Sequence, residues 1–243
     1  MTVRRFYSDT IDAAAGLAAL SAEEAHHARE VLRLKTGDSL NLFDGEGREF
    51  TGKLLSLTKS FGEVVEVREI VPSAPESNLS ITQGSVVIPG DKYDLVVQKA
   101  VELGVVEFVP LTSMRCEIKL KDLDKKLTRW RRIALDASKQ CGRARLMQIG
   151  EPLDVKTFVK GISDGFDQRI FFSERNGGKL SFDPPVRTLV SVIGPKGGWD
   201  DSEIAAARDA GFDIATFGGR ILRAETAAIA LTAILQHRFG DIN

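Results

Sequence analysis

The stretch from Gly218 to Leu235, GGRILRAETAAIALTAIL, constrains this chain more than any other. It opens on a glycine pair, where backbone can turn tightly or approach a ligand because no Cβ intervenes. Arg223, Glu225 and Thr226 then stand at the mouth of a helix that is apolar nearly all round. Ala224, Ala227, Ala228, Leu231, Ile234 and Leu235 share one face, and Ile229, Ala230 and Ala233 lie on the others. Such a helix is buried in a core or against a partner. Charges set directly before it are costly unless paired or used. A helix cap with one internal ion pair would explain them; a second glycine turn upstream favours a functional use.

That turn is Gly194-Pro195-Lys196-Gly197-Gly198-Trp199. It follows an apolar strand ending at Ile193 and precedes a helix opened by Asp200 with Glu203 three residues on, a capping-box pattern. Strand, glycine turn and helix start present backbone N–H groups to a nucleotide. The spacing departs from Gly-x-Gly-x-x-Gly, and no acidic ribose partner follows about twenty residues later, which disfavours a dinucleotide-binding dehydrogenase. A Gly-x-Ser-x-Gly elbow, a Walker lysine motif and paired metal ligands are all missing, so hydrolase, NTPase and metalloenzyme readings lack support.

The runs IGPKGGWDDSEI and FGGRILRAETAAIALTAILQ, with QKAVELGV at Gln98–Val105 and HHAREVLRLKTGD at His26–Asp38, resemble the RsmE-type 16S rRNA (uracil-N3)-methyltransferases of the SPOUT superfamily. The resemblance covers essentially the whole chain, and Arg220 to Ala227 is its strongest match. It implies an N-terminal PUA-like β-barrel for RNA binding, then an α/β SPOUT domain with a C-terminal trefoil knot. It also implies S-adenosylmethionine as cofactor, the small ribosomal subunit as partner and a homodimer. Ile193, Gly194, Gly197, Gly198, Phe217, Gly218, Ile221 and Leu222 would wall the cofactor pocket, with glycine needed because a side chain would fill the adenosine site. Thr226 and Ala227 would close it, although the Thr226 hydroxyl could equally satisfy its own helix terminus. Arg223 is the candidate to stabilise the uracil anion. Glu225 is either the base or, as the preferred role, the group that holds Arg223 in place. Three positions depart from the family pattern: Lys196 stands where an acid is usual, Phe217 where leucine is usual, and Lys139 at a typically acidic spot.

Alternation of strands and helices from Leu79 onward argues independently for a mainly parallel sheet covered on both faces. Strands are expected at Leu79–Ile88, Val106–Leu111, Gln168–Ser173, Thr188–Ile193 and Ile214–Phe217. Helices are expected at Asp91–Leu103, Leu123–Cys141, Val155–Lys160, Asp200–Ala210 and Ala224–Arg238. Residues 1–71 read as mostly strand, with Asp44-Gly45-Glu46-Gly47 as a hairpin turn and a helix capped by Ser21 and Glu24 that runs to about Leu34. His26 and His27 on that helix lack a second ligand at a useful offset and read as structural. Residues 72–78, with two prolines, form the expected linker, and 79–243 the second domain.

The formal net charge of −1 excludes a globally basic nucleic-acid binder, so RNA contact requires a local patch. Between Arg115 and Arg145 stand 11 Lys/Arg against 4 Asp/Glu, a local +7. Arg115, Lys125, Arg129, Arg132, Arg143 and Arg145 are therefore expected phosphate grips. Arg4, Arg5 and Arg33 are expected to join them from the N-terminal domain. Cys116 and Cys141 lack metal-ligand spacing and fit a reducing compartment. With no apolar run of membrane-spanning length, the chain reads as cytoplasmic, without membrane or metal. A SPOUT enzyme for another rRNA or tRNA base, and a non-catalytic RNA-binding factor, are the competing readings.

Overall fold

The computed structural model describes residues 4–72, 74–120, 123–162, 164–175, 177–179 and 185–242, with the backbone alone at Asp124. A short first strand is expected over Val3–Tyr7; its Val3, and Ser73 of the expected linker, lie outside the described residues. The chain divides into two compact units, Met1–Glu76 with Leu135–Leu146, and Ser77–Ala134 with Met147–Asn243.

The first unit is built on a six-stranded sheet, in the order β1-β4-β5-β6-β3-β2. The strands are β1 (Arg5–Tyr7), β2 (Ile11–Asp12), β3 (Leu17–Leu20), β4 (Ser39–Phe43), β5 (Glu49–Leu57) and β6 (Gly62–Ile70). Only β1 and β4 run parallel. The expected hairpin joins β4 to β5. Asp44 accepts from the Glu46 and Arg48 N–H groups at 2.8 and 3.1 Å, while Gly45 and Gly47 take φ of 80° and 112°. Phe6 from β1 and Leu20 from β3 share one core with Leu42, Phe50 and Val64. These strands lie toward opposite ends of the sheet, so it must curl around that core.

The first helix differs from expectation. α1 covers only Ala22–His26 and continues as a π-helix over His27–Val31. Ser21 does accept from Glu24 N–H at 3.4 Å, but the buried Glu24 carboxylate pairs with Lys139 instead of returning to Ser21. Half of the capping box is thereby given up to an ion pair. Residues after Ala134 join this unit because their polar groups are used in it. Arg5 donates to the Ser138 carbonyl at 2.9 Å, and Arg143 pairs with Glu76 at 2.6 Å.

The second unit holds a seven-stranded sheet in which every pairing is parallel. Its strands are β7 (Ser80–Val86), β8 (Val105–Thr112), β9 (Gln148–Ile149), β10 (Leu153–Asp154), β11 (Gln168–Phe172), β12 (Thr188–Ile193) and β13 (Asp213–Ala215). The order is β10-β8-β7-β12-β11-β13, with β9 beside β8. The five expected strands and five helices are present within a few residues, whereas two-residue β9 and β10 carry too little pattern to be read. The helices are α2 (Lys92–Glu102), α3 (Asp124–Cys141), α4 (Val155–Gly161), α5 (Asp201–Asp209) and α6 (Ala224–Phe239). β12 is buried throughout Leu189–Ile193, its polar Ser191 included, because helices cover both faces of such a sheet.

On α6 the fully buried residues are Ala228, Leu231, Thr232, Leu235 and Gln236. Thr232 donates to Gln83 at 2.8 Å and Ser77 to Gln236 at 2.8 Å, so this face carries polar anchors as well as apolar ones. Ile229, Ala230, Ala233 and Ile234 are only half-buried, so the all-round burial expected of this helix is not reached within one chain.

Candidate active site

The carboxyl ends of β12, β11 and β13 lie side by side, and the segment following each lines one cavity of about 420 Å³. A crevice at the carboxyl ends of parallel strands is where α/β sheets take ligands. Both glycine turns reach it. Of the expected pocket residues, Ile193, Gly194, Gly198, Phe217, Gly218, Ile221, Leu222 and Ala227 line it, as does Arg223. Gly197 and Thr226 do not.

The first turn is held by Trp199, which is fully buried, lies 4.3 Å from the Phe171 ring and donates its indole N–H to the Phe172 carbonyl at 2.8 Å. This changes the reason for glycine at position 194. A Cβ built there would lie 2.8 Å from the Trp199 ring, so packing already requires glycine, whatever binds. Gly198 takes a φ of 72°, and its N–H closes the turn on the Pro195 carbonyl at 3.1 Å. α5 then starts on the full capping box expected of Asp200 and Glu203. Gly197 is backed by Arg115: a Cβ there would sit 3.3 Å from the Arg115 Cβ. Arg115 also reaches the Gly197 carbonyl at 3.5 Å and Asp200 at 3.9 Å, which makes it a brace for this turn.

The second turn is more open. Gly219 takes a φ of 98°, Ile221 is 91% exposed and Phe217 46% exposed. A Cβ at Gly218 would meet no protein atom within 4 Å. Gly218 is thus the lining glycine that the chain itself does not need. Arg223 caps α6 with extended backbone and an exposed side chain.

Glu225 has a partner besides Arg223, whose charge also bears on it. Its carboxylate accepts from Lys92 at the start of α2, at 2.8 Å. That bond, its own backbone N–H and the nearby charges of Lys92 and Arg223 keep its carboxyl below the ordinary range. The sequence placed Arg223 two residues away and could not show a lysine from another helix. Thr226 is exposed and outside the lining.

Sequence reasoning missed Ser173 and Glu174, which line the cavity from the end of β11. Their signal was weak, because only the strand order shows that β11 lies between β12 and β13.

The expected phosphate grips separate into interior, surface-paired and exposed residues. Arg5 is 7% exposed and forks onto Glu49 at 3.0 and 3.2 Å, and Arg143 is 5% exposed on Glu76. Both are interior structural residues, a correction to their expected role. Arg129 bonds Asp94 at 2.9 Å, Arg131 bonds Glu151 at 2.9 Å, and Lys139 pairs with Glu24. The local excess of +7 is therefore largely balanced by acids from distant segments, which no window along the sequence contains. Arg4 is paired with Asp38 at 3.1 Å. Arg33, Lys125, Arg132 and Arg145 are exposed, Arg145 touching the Glu46 carbonyl at 3.4 Å. Among the described residues no cluster of His, Cys, Asp or Glu could hold a metal ion, and no helix is long and apolar enough to cross a membrane.

Comparison with known proteins agrees with this geometry. The RNA methyltransferase domain family matches residues 75–236, and the RNA methyltransferase PUA domain family residues 20–67. The chain is 30% identical to a ribosomal RNA small subunit methyltransferase E of Buchnera aphidicola (subsp. Schizaphis graminum), over 92% of each chain. The relative of the same name from Synechocystis is 31% identical, over 88% of this chain and 71% of that one. The crystal structure of a ribosomal RNA small subunit methyltransferase E from Neisseria gonorrhoeae, bound to S-adenosyl methionine, superposes with a TM-score of 0.90 at 31% identity, covering 99% of this chain and 100% of that one. A methyltransferase of Legionella pneumophila, solved with the cofactor SAM, superposes at 0.88 with 31% identity, covering 99% and 100%. With a PUA domain and a parallel sheet that carries both glycine turns, the chain belongs to the RNA methyltransferase family of the ribosomal RNA small subunit methyltransferase E proteins.

Proposed function

We propose that this protein methylates N3 of a uridine in 16S rRNA, acting on the assembled small subunit. S-adenosylmethionine-dependent methylation of small-subunit rRNA is the activity of the family to which the chain belongs. The N3 position and the assembled particle go further and rest on the resemblance of the RILRAETA run.

The observation that carries the reading is the cavity itself, walled by both glycine turns with Arg223 on its lining. The residues present fit the cofactor. Gly218 leaves space that no protein atom claims, Ile193, Leu222 and Leu231 offer apolar wall for adenine, and Lys196 and Arg220 offer cations for a carboxylate. When bound, the cofactor supplies a methyl group on a sulfonium. The chain must then align N3 with that methyl, exclude water and help the N3 proton leave. Alignment in a walled cavity can supply several kcal/mol. Arg223, exposed at the mouth of α6, would neutralise the charge that grows on the uracil oxygens as the proton departs. Glu225, engaged by Lys92 and held ionised, is a poor acceptor for that proton, so its proposed part is to fix Lys92 and the start of α6.

Arg33, Lys125, Arg132 and Arg145, all exposed, are the proposed phosphate contacts. A domain division at residues 72–78, a trefoil knot around the two turns and residence in the cytoplasm belong to the same proposal. So does a homodimer. The half-buried Ile229, Ala233 and Ile234 and the exposed Ile221 support it, because a second copy would cover apolar surface that one chain leaves open.

The test is nucleoside mass mapping of 16S rRNA from a deletion strain. Loss of N3-methyluridine, restored by the wild-type chain and not by Arg223→Ala, is the expected result. Retention of N3-methyluridine with loss of a different methylated base would replace the proposed target.

A further inference from the structure

We propose that Glu174 selects a ribonucleoside in this cavity, its carboxylate accepting hydrogen bonds from the vicinal hydroxyls of the cofactor's ribose. The inference rests on the cofactor reading above and adds a residue that lies in neither glycine turn.

Placement comes first. Glu174 follows β11, the strand paired to β12 on one side and β13 on the other, so its segment is flanked by the turns that both neighbours feed. In nucleotide-binding α/β sheets, a carboxylate beyond the strand next to the glycine strand takes the ribose hydroxyls. The sequence lacks such an acid downstream of Gly194. Strand order supplies it from upstream, because β11 precedes β12 in the chain and lies beside it in the sheet.

Geometry comes second. A Cβ built on Gly198 would lie 2.5 Å from the Glu174 Oε1, so the carboxylate rests against the backbone of the first turn. Arg175 holds it there from 3.4 Å. Arg175 is itself fixed, donating to the Trp199 carbonyl at 2.7 Å and pairing with Asp201 at 3.1 Å. The Glu174 side chain nevertheless remains 37% exposed and open to a ligand. Chemistry comes third. Among the described lining residues Glu174 is the one carboxylate, beside the cations Lys196, Arg220 and Arg223. A diol needs an acceptor, which an ionised carboxylate is and a cation is not.

The test is calorimetric titration of the full chain with S-adenosylmethionine, with 5′-methylthioadenosine and with the 2′-deoxy form of the latter. 5′-Methylthioadenosine keeps adenine and ribose but carries neither the amino acid nor a charge. The wild type is expected to prefer the ribo over the 2′-deoxy nucleoside by about ten- to a hundredfold, the range of a hydrogen bond to a charged group. Glu174→Ala should abolish that preference and weaken S-adenosylmethionine and 5′-methylthioadenosine by the same factor. Glu174→Gln should do so partly, with the melting temperature of both variants unchanged. Loss of affinity for S-adenosylmethionine alone would overturn the proposal, placing the carboxylate against the amino-acid portion or the sulfonium. Unchanged affinity for all three would overturn it too, and leave the cofactor reading intact. Failure of the wild type to bind S-adenosylmethionine or 5′-methylthioadenosine would defeat the cofactor reading and this proposal together.

Discussion

Gly194 lies so close to Trp199 that a Cβ at position 194 would come within 2.8 Å of the indole. The glycine turn is therefore shaped first by its own tryptophan, whose N–H is tied to the Phe172 carbonyl on β11. The pocket wall and the core of the second unit are one packed object. Gly194→Ala should cost about 1–3 kcal/mol through overpacking, read as a lower melting temperature, and should weaken cofactor binding as the turn shifts.

Gly218 is the opposite case. Nothing in the protein lies within 4 Å of a Cβ there, and its backbone is outside the left-handed region. Gly218→Ala should leave the melting temperature within a degree or two and still weaken S-adenosylmethionine by calorimetry. Unaltered binding would show that this wall does not meet the cofactor.

Lys92 and Glu225 set a prediction for pH dependence. The Glu225 carboxyl is held below its ordinary value by the Lys92 hydrogen bond first and by its own backbone N–H next. A group with a depressed folded pKa adds stability above its unfolded value, and that contribution is lost as pH falls through the folded one. Near neutrality it is ionised throughout and gives no acid limb. Glu225→Gln should therefore leave the shape of the pH–rate profile from about pH 6 to 9 unchanged and lower turnover less than tenfold. Arg223→Ala should lower turnover by about 10²–10³ while keeping cofactor affinity. An acid limb that disappears in Glu225→Gln would restore Glu225 as the base.

The arginines separate by burial. Arg5→Ala takes the cation from the buried Glu49 carboxylate, leaving the Asn41 amide at 3.0 Å as a neutral donor, and should destabilise by about 3–5 kcal/mol, with any RNA defect following unfolding. Lys125→Ala should leave the melting temperature alone, and both it and Arg132→Ala should weaken RNA binding equally across sequences. If each meets one phosphate, the slope of log K against log salt should fall by about 0.7–0.9 per substitution. A salt slope unchanged in both variants would remove that helix from the RNA surface.

Local pattern determined much of this protein. The strands β7, β8, β11 and β12, the Asp200–Glu203 capping box and the Asp44–Gly47 turn follow from local composition and turn chemistry, so each was legible in the sequence. Both glycine turns could be named from the RILRAETA and GPKGG runs, and they line one cavity. Tertiary structure alone decided which charges are spent. Arg5 meets Glu49, Arg143 meets Glu76, Lys139 meets Glu24 and Glu225 meets Lys92, each pairing across a long loop of chain. It also decided that Glu174 stands beside a turn that comes later in the chain. A strand's pattern records which of its faces are buried, but its neighbours in the sheet follow from how the whole chain closes, and that relation is written in no short stretch of residues.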